Sequence, residues 1–414
     1  MSKWNAPSRP RSRPDEPRYD VAVLGGGPAG AATAIRLVAA GRSVVVLEKT
    51  TFDRVRIGET LPPVARLPLA RLGVWETFIA DRHAPSPGIR SVWGDGAVFE
   101  QPFVFNPYGH GWHLDRQHFD RMLAGAADKA GARLHCGVDV TSCSPTRLAA
   151  SPHRWRLEFG GGGAVHRLRA SFVVDATGRT ASLARHQGAH RLASDRLVGL
   201  ATILAAPYVK DALDGRTLVE ATDQGWWYSA VLPDARMMAV YMTDADRLPP
   251  RRLDWPGFWW ARMRCTTATT QQLRVSRRSS APRASLQLVT ANSSWLDRTS
   301  GRGWLAVGDA AMAFDPLSSQ GIVHALTSGL LAGEVVHRWL EGDLAALGEY
   351  DDRTRRTFSE YARIHAIYYG RERRWPESVF WCRRHQATSP TQERLASTLD
   401  APGNPAIHST EEMR

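Results

Sequence analysis

The 414-residue sequence is poor in the residues that mark several large classes of protein. Its four cysteines (Cys136, Cys143, Cys265 and Cys382) form no C-x-x-C pair and have no zinc-type spacing to histidine. We therefore expect free thiols in a reducing compartment and no metal site. No apolar run is long enough to span a bilayer. Residues 1–17 are polar and proline-rich, without the apolar segment of a signal peptide, which predicts a disordered leader and a cytoplasmic protein.

Lysine is also scarce. Four of the 53 basic residues are lysines, so the formal charge of +12 comes mainly from arginine. The arginines are scattered except for clusters at residues 353–356, 371–374 and 383–384. A scattered distribution is not the massed basic patch of a nucleic-acid-binding protein, and we expect no such partner. The clusters are either solvated helical faces or a docking surface for an acidic partner.

The stretch YDVAVLGGGPAGAATAIRLVAAGRSVVVLEK, residues 19–49, contains a complete dinucleotide-binding fingerprint. An apolar run at residues 21–24 predicts a buried parallel strand. Gly25, Gly27 and Gly30 follow at G-x-G-x-x-G spacing, which allows a tight turn, a close approach of backbone to a pyrophosphate, and close helix packing. A predicted helix at residues 31–40 and a second strand at residues 44–47 lead to Glu48. An acid at this position binds the ribose of an adenosine.

The remaining sequence predicts alternating strands and helices and then a strand-rich segment. Asp115 is a predicted N-cap for a helix over residues 116–130. Strands are predicted at residues 89–93, 97–105, 133–140, 154–159, from 164, at 172–174 and at 304–307. The tryptophan-rich segment 197–289 predicts an antiparallel sheet that forms a substrate wall. Helices are predicted at residues 320–340 and onward to about 385, followed by a loose polar tail.

Two later stretches favour FAD over NAD as the dinucleotide. DATG, residues 175–178, and GDAA, residues 308–311, each place an acid at a strand end beside small residues. An acid at Asp309 can hold the hydroxyls of a ribityl chain. Residues 316–321 then open a helix whose N-terminal N–H groups favour a negative charge, such as that on a reduced flavin. NAD has no part that requires these stretches, so the sequence predicts that all three converge on one FAD.

The fingerprint, DATGR and GDAAMAFDPLSSQG together resemble the FAD-dependent aromatic hydroxylases related to p-hydroxybenzoate hydroxylase, and their relatives the flavin-dependent tryptophan halogenases. The resemblance covers residues 19–340. It implies an α/β fold with a Rossmann-like FAD-binding domain of the glutathione-reductase type, an inserted antiparallel substrate domain and C-terminal helices. The implied division is residues 1–17 as leader, 18–82, 112–195 and 300–340 as FAD-binding domain, 83–111 and 196–299 as substrate domain, 341–386 as helices, and 387–414 as tail.

The resemblance also implies the cofactor site and the reaction. Arg56 and Arg116 would approach the FAD, although both could instead be plain surface arginines. The predicted cofactor-binding residues are Gly25, Gly27, Pro28, Ala29, Gly30, Glu48, Lys49, Arg56, Arg116, Asp175, Gly178, Gly308, Asp309, Pro316, Ser319, Gly321 and Ile322. The implied reaction is hydroxylation of an electron-rich aromatic ring through a flavin C4a-hydroperoxide. It would use O2 and electrons from NAD(P)H or a separate flavin reductase.

Halogenation is not expected, because two residues that the halogenases need are replaced. Ser86 in APSPGIR stands where the family has a lysine, and Ser318 in PLSSQG stands where it has a glutamate. The family's W-x-W-x-I-P signature is not matched by WWYSAVLP at residues 226–233. A serine can neither form a haloamine nor act unaided as a general base.

The motifs GETLPP, GWWYSAVLPD and DPLSSQGI look most like those of flavoproteins that modify a tryptophan of a partner protein during quinone-cofactor maturation. This resemblance implies a tryptophan-containing protein or peptide as substrate. The alternatives are a small-molecule tailoring hydroxylase and a flavin-dependent reductase; a non-catalytic chaperone is disfavoured. Trp226, Trp227 and Tyr228 are candidate substrate contacts. The sequence assigns no catalytic base, and the candidates for that role are His113, His110 and Glu59.

Overall fold

The computed structural model describes residues 16–54, 56–146, 154–204, 215–273 and 285–386. The predicted tail and most of the predicted leader lie outside these residues. The strands, in chain order, are β1 (Arg18–Leu24), β2 (Val44–Glu48), β3 (Thr60–Leu61), β4 (Ala84–Ser86), β5 (Gly88–Val92), β6 (Val98–Pro102), β7 (Gly111–His113), β8 (Arg133–Cys136), β9 (Asp139–Pro145), β10 (Trp155–Gly161), β11 (Ala164–Asp175), β12 (Arg191–Ala193), β13 (Leu197–Leu204), β14 (Thr217–Thr222), β15 (Gly225–Val231), β16 (Met237–Asp244), β17 (Gln287–Thr290), β18 (Ser294–Leu296), β19 (Ser300–Gly301), β20 (Trp304–Ala306) and β21 (Met312–Ala313).

The helices, in the same order, are α1 (Pro28–Ala39), α2 (Arg66–Arg71), α3 (Trp75–Ala80), α4 (Arg116–Ala130), α5 (Ser182–His186), α6 (Trp255–Met263), α7 (Ala268–Gln272), α8 (Gly321–Leu340), α9 (Ala346–Arg371) and α10 (Val379–Gln386). The predicted cap of α4 is confirmed, because the Asp115 side chain accepts a hydrogen bond from the backbone N–H of His118. No helix within the described ranges has the length and apolarity to cross a bilayer.

The first sheet is built around a parallel core in the order β8-β2-β1-β11-β20. Residues 21–24 of β1 pair with residues 44–47 on one side and 172–175 on the other, and these strand segments are buried. On one side of β1 the sheet continues with β2 and β8, and on the other side it continues with β11 and β20, so the strand order reverses between β1 and β11. In open parallel sheets a ligand binds beyond the carboxyl ends of the strands at this reversal. The FAD-type Rossmann fold predicted from the sequence is thus confirmed.

Two strand boundaries in this sheet were predicted wrongly. Residues 133–140 form two strands rather than one, because Gly137 has a left-handed φ of 70° and separates β8 from β9. Residues 164–175 form one continuous strand rather than two. The first four residues of β11 are exposed and residues 168–171 alternate between buried and partly exposed, so the sequence shows a continuous apolar run only at residues 172–174.

The long helices α1 and α8 lie against each other through small residues. A Cβ added to Gly329 would lie 2.6 Å from the Ala29 carbonyl oxygen, and one added to Gly333 would lie 2.7 Å from the Arg36 Cβ. This close packing explains why α8 carries glycines within a helix, where they normally cost stability. It also brings the N-termini of both helices to the same side of the first sheet.

The second large sheet has the order β17-β13-β16-β15-β14-β5-β6 and is antiparallel except between β14 and β5. Its residues alternate between two hydrophobic cores, as the period of two in a strand requires. Trp226 and Tyr228 face the core that contains Trp381 of α10, whereas Trp227 faces the core that contains Trp259 of α6. The predicted antiparallel sheet is confirmed for β13 to β17, but residues 255–263 and 268–272 of the same segment form the helices α6 and α7, and residues 205–214 and 274–284 lie outside the described residues. The proposed division of the chain into domains stays a prediction.

Two three-stranded sheets connect these layers. In the order β3-β7-β4, residues 60–61 pair with residues 112–113, and this pairing fixes the end of the turn that precedes β3. In the order β12-β18-β21, the strand at Met312–Ala313 leads directly into the segment Phe314–Gly321. Both small sheets therefore deliver chain segments to the edge of the first sheet where the ligand site is expected.

Candidate functional site

A cavity of about 1130 Å³ opens beyond the carboxyl ends of β1 and β11. The fingerprint, the DATG turn, Asp309 and the segment 316–321 all line it, so the three distant stretches converge as predicted. The predicted cofactor-binding residues that line it are Gly25, Gly27, Pro28, Ala29, Glu48, Lys49, Arg56, Arg116, Gly178, Asp309, Pro316, Ser319, Gly321 and Ile322. Gly30, Asp175 and Gly308 do not line it and lie behind its wall. Their roles in cofactor binding stay predictions.

The turn after β1 requires glycine for steric reasons. Gly25 has a φ of 109°, and a Cβ added there would lie 2.8 Å from the carbonyl carbon of Ala176 and overlap its oxygen. A Cβ added to Gly30 would overlap the carbonyl oxygen of Gly25. Asp175 fixes the facing turn, because its carboxyl accepts hydrogen bonds from the N–H groups of Thr177 (3.0 Å) and Ala184 (2.9 Å). These residues bring two backbone segments together at the cavity floor.

Two helix N-termini face the cavity without an acidic side chain in their first turns. Gly27 is the N-cap of α1 and Gln320 is the N-cap of α8, and neither makes a side-chain capping hydrogen bond. A Cβ added to Gly27 would meet only the Arg56 side chain at 3.7 Å, and one added to Gly321 would meet nothing within 4 Å. The exposed N–H groups and the dipoles of both helices favour negative charge at these two points.

Glu48 is the acid at the end of β2, and it is 5% exposed. Its Oε2 accepts a hydrogen bond from the Gly26 N–H at 2.7 Å, and its Oε1 accepts from the Thr50 N–H at 2.8 Å. These bonds hold the carboxyl at the cavity wall. A carboxylate has about four acceptor positions, so Glu48 retains capacity to accept a ribose hydroxyl.

Asp120 positions both candidate arginines, and the sequence analysis missed it. Arg56 donates to Asp120 Oδ2 at 3.1 Å, and Arg116 Nη2 lies 3.2 Å from both carboxyl oxygens. Arg116 Nη1 also donates to the Gly58 carbonyl oxygen at 2.8 Å. Asp120 is fully buried on α4, five residues after the Asp115 cap, and only its i,i+4 spacing to Arg116 was a signal in the sequence. The two arginines are therefore fixed residues of the cavity wall rather than free surface side chains.

Asp309 carries the most exposed carboxyl among the predicted acids of the cavity. Its side chain is 41% exposed, and it lines the cavity, with Oδ2 3.7 Å from Arg179 Nε. Desolvation inside the cavity raises the pKa of Asp309, while Arg179, Arg191 and Arg116 oppose the rise. Arg179 also donates to the Phe314 carbonyl oxygen at 3.0 Å and so links DATGR to the segment after β21. Arg179 is the last residue of the DATGR motif. Its role could not be predicted from that motif, because its partner Phe314 lies 135 residues further along the chain.

Replacing Asp309 by alanine is expected to weaken FAD binding by about 10- to 100-fold, the equivalent of one lost hydrogen bond to a charged group. The affinity is measured by titrating apoprotein with FAD and following flavin fluorescence. Asp297→Ala is the control, because Asp297 pairs with His190 and does not line the cavity. Equal affinities for the two variants would contradict a cofactor role for Asp309.

The far end of the cavity is formed by the second large sheet. Tyr228 of β15, Met242 of β16 and Val289 of β17 line it. Trp226 and Trp227 do not, since each is fully buried in one of the two cores of that sheet. The structure thus brings one of the three candidate substrate contacts to the cavity. A substrate role for Trp226 or Trp227 stays a prediction without a contact that supports it.

None of the three candidate catalytic residues lines the cavity. His113 is buried, with Nε2 2.8 Å from Thr217 Oγ1, and burial lowers its pKa to about 4. His110 Nδ1 lies 2.8 Å from the Gly111 carbonyl oxygen. Glu59 is buried directly before Thr60, which does line the cavity. The described residues contain no group of His, Cys, Asp and Glu side chains that could hold a metal ion, and the four cysteines are free.

Helix α9 supports the segment 316–321 through hydrogen bonds to Asp315. Asp315 is another residue that the sequence analysis missed. The buried Asp315 carboxyl accepts hydrogen bonds from the Leu317 N–H (2.8 Å) and the Tyr369 hydroxyl (2.8 Å), and it lies 3.1 Å from His365 Nε2. The Asp315 N–H donates to the Tyr361 hydroxyl at 2.8 Å. The C-terminal helices are therefore part of the support of the cavity.

Comparison with known proteins agrees with this geometry. A family model described as FAD binding domain matches residues 18–343. LodB of Marinomonas mediterranea, named as an FAD-dependent oxidoreductase, is 30% identical over 375 residues, which cover 89% of this chain and 97% of that protein.

Two solved structures share the fold. The structure of QhpG, a peptidyl tryptophan dihydroxylase essential for tryptophylquinone cofactor biogenesis, matches with a TM-score of 0.73 and 28% identity over 89% of this chain and 78% of that chain. The structure of CmlS, a flavin-dependent halogenase, matches with a TM-score of 0.78 and 25% identity over 92% of this chain and 70% of that chain. The resemblance predicted from the motifs is confirmed.

Proposed function

The chain belongs to the FAD binding domain family, and from this premise we propose that it is an FAD-dependent monooxygenase that hydroxylates an electron-rich aromatic ring. The observation that carries the proposal is that one cavity is lined both by the predicted cofactor segments and by Tyr228, Met242 and Val289. Bound FAD would supply the oxygen chemistry, with O2 as co-substrate and electrons from NAD(P)H or a separate flavin reductase. The protein would supply binding, orientation and shelter from water.

The residues present fit FAD along its length. The space beside Gly27 at the N-terminus of α1 suits a pyrophosphate, and Glu48 suits the adenosine ribose. Asp309 would bind the ribityl chain, and the N-terminus of α8 at Gly321 would face the flavin ring. Arg56 would approach the phosphates, because its Nη1 lies 3.7 Å from the position of a Cβ added to Gly27. The binding site is thus formed by residues that are far apart in the chain.

Hydroxylation is favoured over halogenation by the two serines that replace the halogenase residues. Ser86 is buried in β4, and its hydroxyl donates to the Gly88 carbonyl oxygen at 3.3 Å. The Ser318 hydroxyl donates to the Asp315 carbonyl oxygen at 2.9 Å. Among the described residues that line the cavity, the one lysine is Lys49, which lies at the end of β2 and pairs with Asp139 at 3.1 Å. Within the part of the chain that the structure describes, no lysine amine is therefore placed beside Tyr228 to capture a hypohalous acid.

We propose a tryptophan side chain of a partner protein or peptide as the substrate class. The support is the resemblance to QhpG, which is named for acting on peptidyl tryptophan. A small aromatic natural product is the second candidate, because halogenase relatives share the fold. A flavin-dependent reductase would change the hydrogen content of its substrate without adding oxygen. A cytoplasmic location stays a prediction.

The proposal is tested with the FAD-loaded protein, reduced nicotinamide, a flavin reductase and a tryptophan-containing peptide under ¹⁸O₂, with chloride and bromide present. Mass spectrometry is expected to show a product that carries oxygen from ¹⁸O₂. A halogenated product, or a product changed only in hydrogen content, would contradict hydroxylation. Repeating the reaction with N-acetyltryptophanamide and a panel of free phenols and indoles separates a peptide substrate from a small aromatic one.

A further inference from the structure

The carboxyl of Glu59 is buried beside the far end of the cavity, and one of its two oxygens is unpaired within the described residues. Glu59 is 1% exposed, and its Oε2 accepts a hydrogen bond from the Gly58 N–H at 3.0 Å. Its Oε1 has no hydrogen-bond partner within the part of the chain that the structure describes. A buried, incompletely paired carboxyl is costly, so its presence needs a reason other than stability.

Tyr228 connects this carboxyl to the cavity. The Tyr228 hydroxyl is close enough to the Glu59 carboxyl for each group to shift the pKa of the other, and it lies 2.5 Å from Thr60 Oγ1. Tyr228 and Thr60 both line the cavity, whereas Glu59 does not. A proton released in the cavity therefore has a path through the tyrosine hydroxyl to the buried carboxyl. The path continues on the other side, since Thr60 Oγ1 lies 3.4 Å from Thr217 Oγ1.

Charged and titratable groups face this cluster from three elements. Arg116 on α4 lies close enough to favour the ionised form of Glu59, but Asp120 shares its charge. His113 on β7 is bound to Thr217, and its pKa of about 4 leaves it neutral at neutral pH. Burial raises the pKa of Tyr228 on β15 well above its usual range, so this hydroxyl keeps its proton unless another is supplied.

Burial is also the largest influence on Glu59, and it raises the pKa of that carboxyl. A raised pKa makes the carboxylate a stronger base than an exposed glutamate. Tyr228 and His113 both stay neutral, so Glu59 is the group in this cluster that is suited to accept a proton.

We propose that Glu59 and Tyr228 form a two-residue relay that removes the proton from the substrate ring carbon after oxygen has been attached to it. The inference rests on the proposed function and deepens it. In this step the C–H bond breaks and its electron pair returns to the ring. The released proton moves to the Tyr228 oxygen while the Tyr228 proton moves to the Glu59 carboxylate. Glu59 is the base and Tyr228 carries the proton, and after product release the proton passes back through Tyr228 to water in the open cavity.

The first test needs no substrate. Infrared spectra of the FAD-loaded full chain, labelled with ¹³C-glutamate, are recorded as a function of pH for wild type and Glu59→Gln. Their difference is expected to show a protonated carboxyl that loses its proton above the ordinary glutamate range. Tyr228→Phe should shift that carboxyl band, because it removes the neighbouring hydroxyl. The relay would be overturned if Glu59 titrated in the ordinary range, or if Tyr228→Phe left the carboxyl band unmoved. Neither result depends on whether the proposed function is correct.

The second test follows the reaction with N-acetyltryptophanamide as probe. Glu59→Gln and Tyr228→Phe are each expected to lower kcat by about 100- to 10,000-fold with little change in KM. The double variant should be no slower than the worse single variant, because the two residues act as a unit. Wild-type kcat should rise as pH rises through the pKa of Glu59, since the carboxylate is the accepting form, and Glu59→Gln should lose this rise.

A ring-deuterated probe separates a relay from a merely structural role. Deuterium should have little effect on the wild type but should slow Glu59→Gln further, because C–H cleavage becomes the slow step. Tyr241→Phe is the control, since Tyr241 is buried in the same sheet, bonds the Gln224 carbonyl oxygen at 3.0 Å and does not line the cavity. Equal kcat and equal isotope effects for Glu59→Gln, Tyr241→Phe and wild type would overturn the proposal.

Discussion

Replacing Gly27 by alanine is expected to abolish FAD retention while leaving the apoprotein folded. The backbone at Gly27 has a φ of −68°, which any residue adopts, and an added Cβ would meet only Arg56 Nη1 at 3.7 Å. The protein itself therefore tolerates the methyl group. The methyl group would occupy the cavity where the backbone approaches a pyrophosphate. We expect the affinity for FAD to fall by about 100-fold or more, or about 2.8 kcal/mol.

Two other glycine variants show that the effect is specific. Gly125→Ala lies in the middle of α4 with nothing within 4 Å, so it should keep FAD and stabilise the protein by about 0.5–1 kcal/mol. Gly30→Ala should lose both FAD and stability, because its Cβ overlaps the Gly25 carbonyl oxygen. Flavin absorbance of the purified variants and thermal unfolding of the apoproteins check these outcomes. Normal FAD content in Gly27→Ala would contradict the assignment of the pyrophosphate site.

Replacing Asp315 by alanine is expected to destabilise the protein by about 3–5 kcal/mol, since it leaves several buried polar groups unpaired at about 1–3 kcal/mol each. The groups that lose a partner are the Leu317 N–H, the Tyr369 hydroxyl and His365 Nε2. Ser319 has a left-handed φ of 50° without being glycine, and the turn that Asp315 caps holds it there. FAD affinity should therefore fall together with stability, because the segment 316–321 lines the cavity.

The stability of this variant is measured by urea unfolding of the apoprotein. Asp234→Ala is the control, because Asp234 makes an exposed ion pair with Arg236 at 2.6 Å, and such pairs contribute little. Tyr369→Phe should show a smaller loss than Asp315→Ala, since it removes one of the three bonds. A change of less than about 1 kcal/mol in Asp315→Ala would contradict the role assigned to α9 in supporting the cavity.

Much of the cofactor site could be predicted from sequence because its signals are local. Glycine spacing, strand-end acids and a helix cap are each contained in a few consecutive residues, and Gly27, Glu48 and Asp309 all line the cavity as a result. The cap at Asp115 and the bounds of α4 were predicted for the same reason. Convergence of the three stretches followed from the requirement that one long ligand contact them all.

The residues that were missed act over long sequence separations. Asp120 bonds Arg56 across 64 residues, and Asp315 bonds Tyr369 across 54. No local pattern distinguishes such carboxyls from surface acids. For the tryptophans of β15, the local pattern predicted a role that the structure does not support. The aromatic run predicts a substrate wall, whereas the alternation of side chains along the strand buries Trp226 and Trp227 in different cores. Which face meets the cavity depends on packing partners in α6 and α10.

The proposed function requires one FAD bound in the site formed by the fingerprint, the DATG turn and the segment from Asp309 to Gly321. The decisive measurement is an equilibrium titration of the full-length apoprotein with FAD, with Gly27→Ala and Gly125→Ala measured alongside. We expect saturation at one FAD per chain for wild type and Gly125→Ala, and no retention by Gly27→Ala. A wild-type protein that stays colourless and shows no saturable binding of FAD would contradict the account.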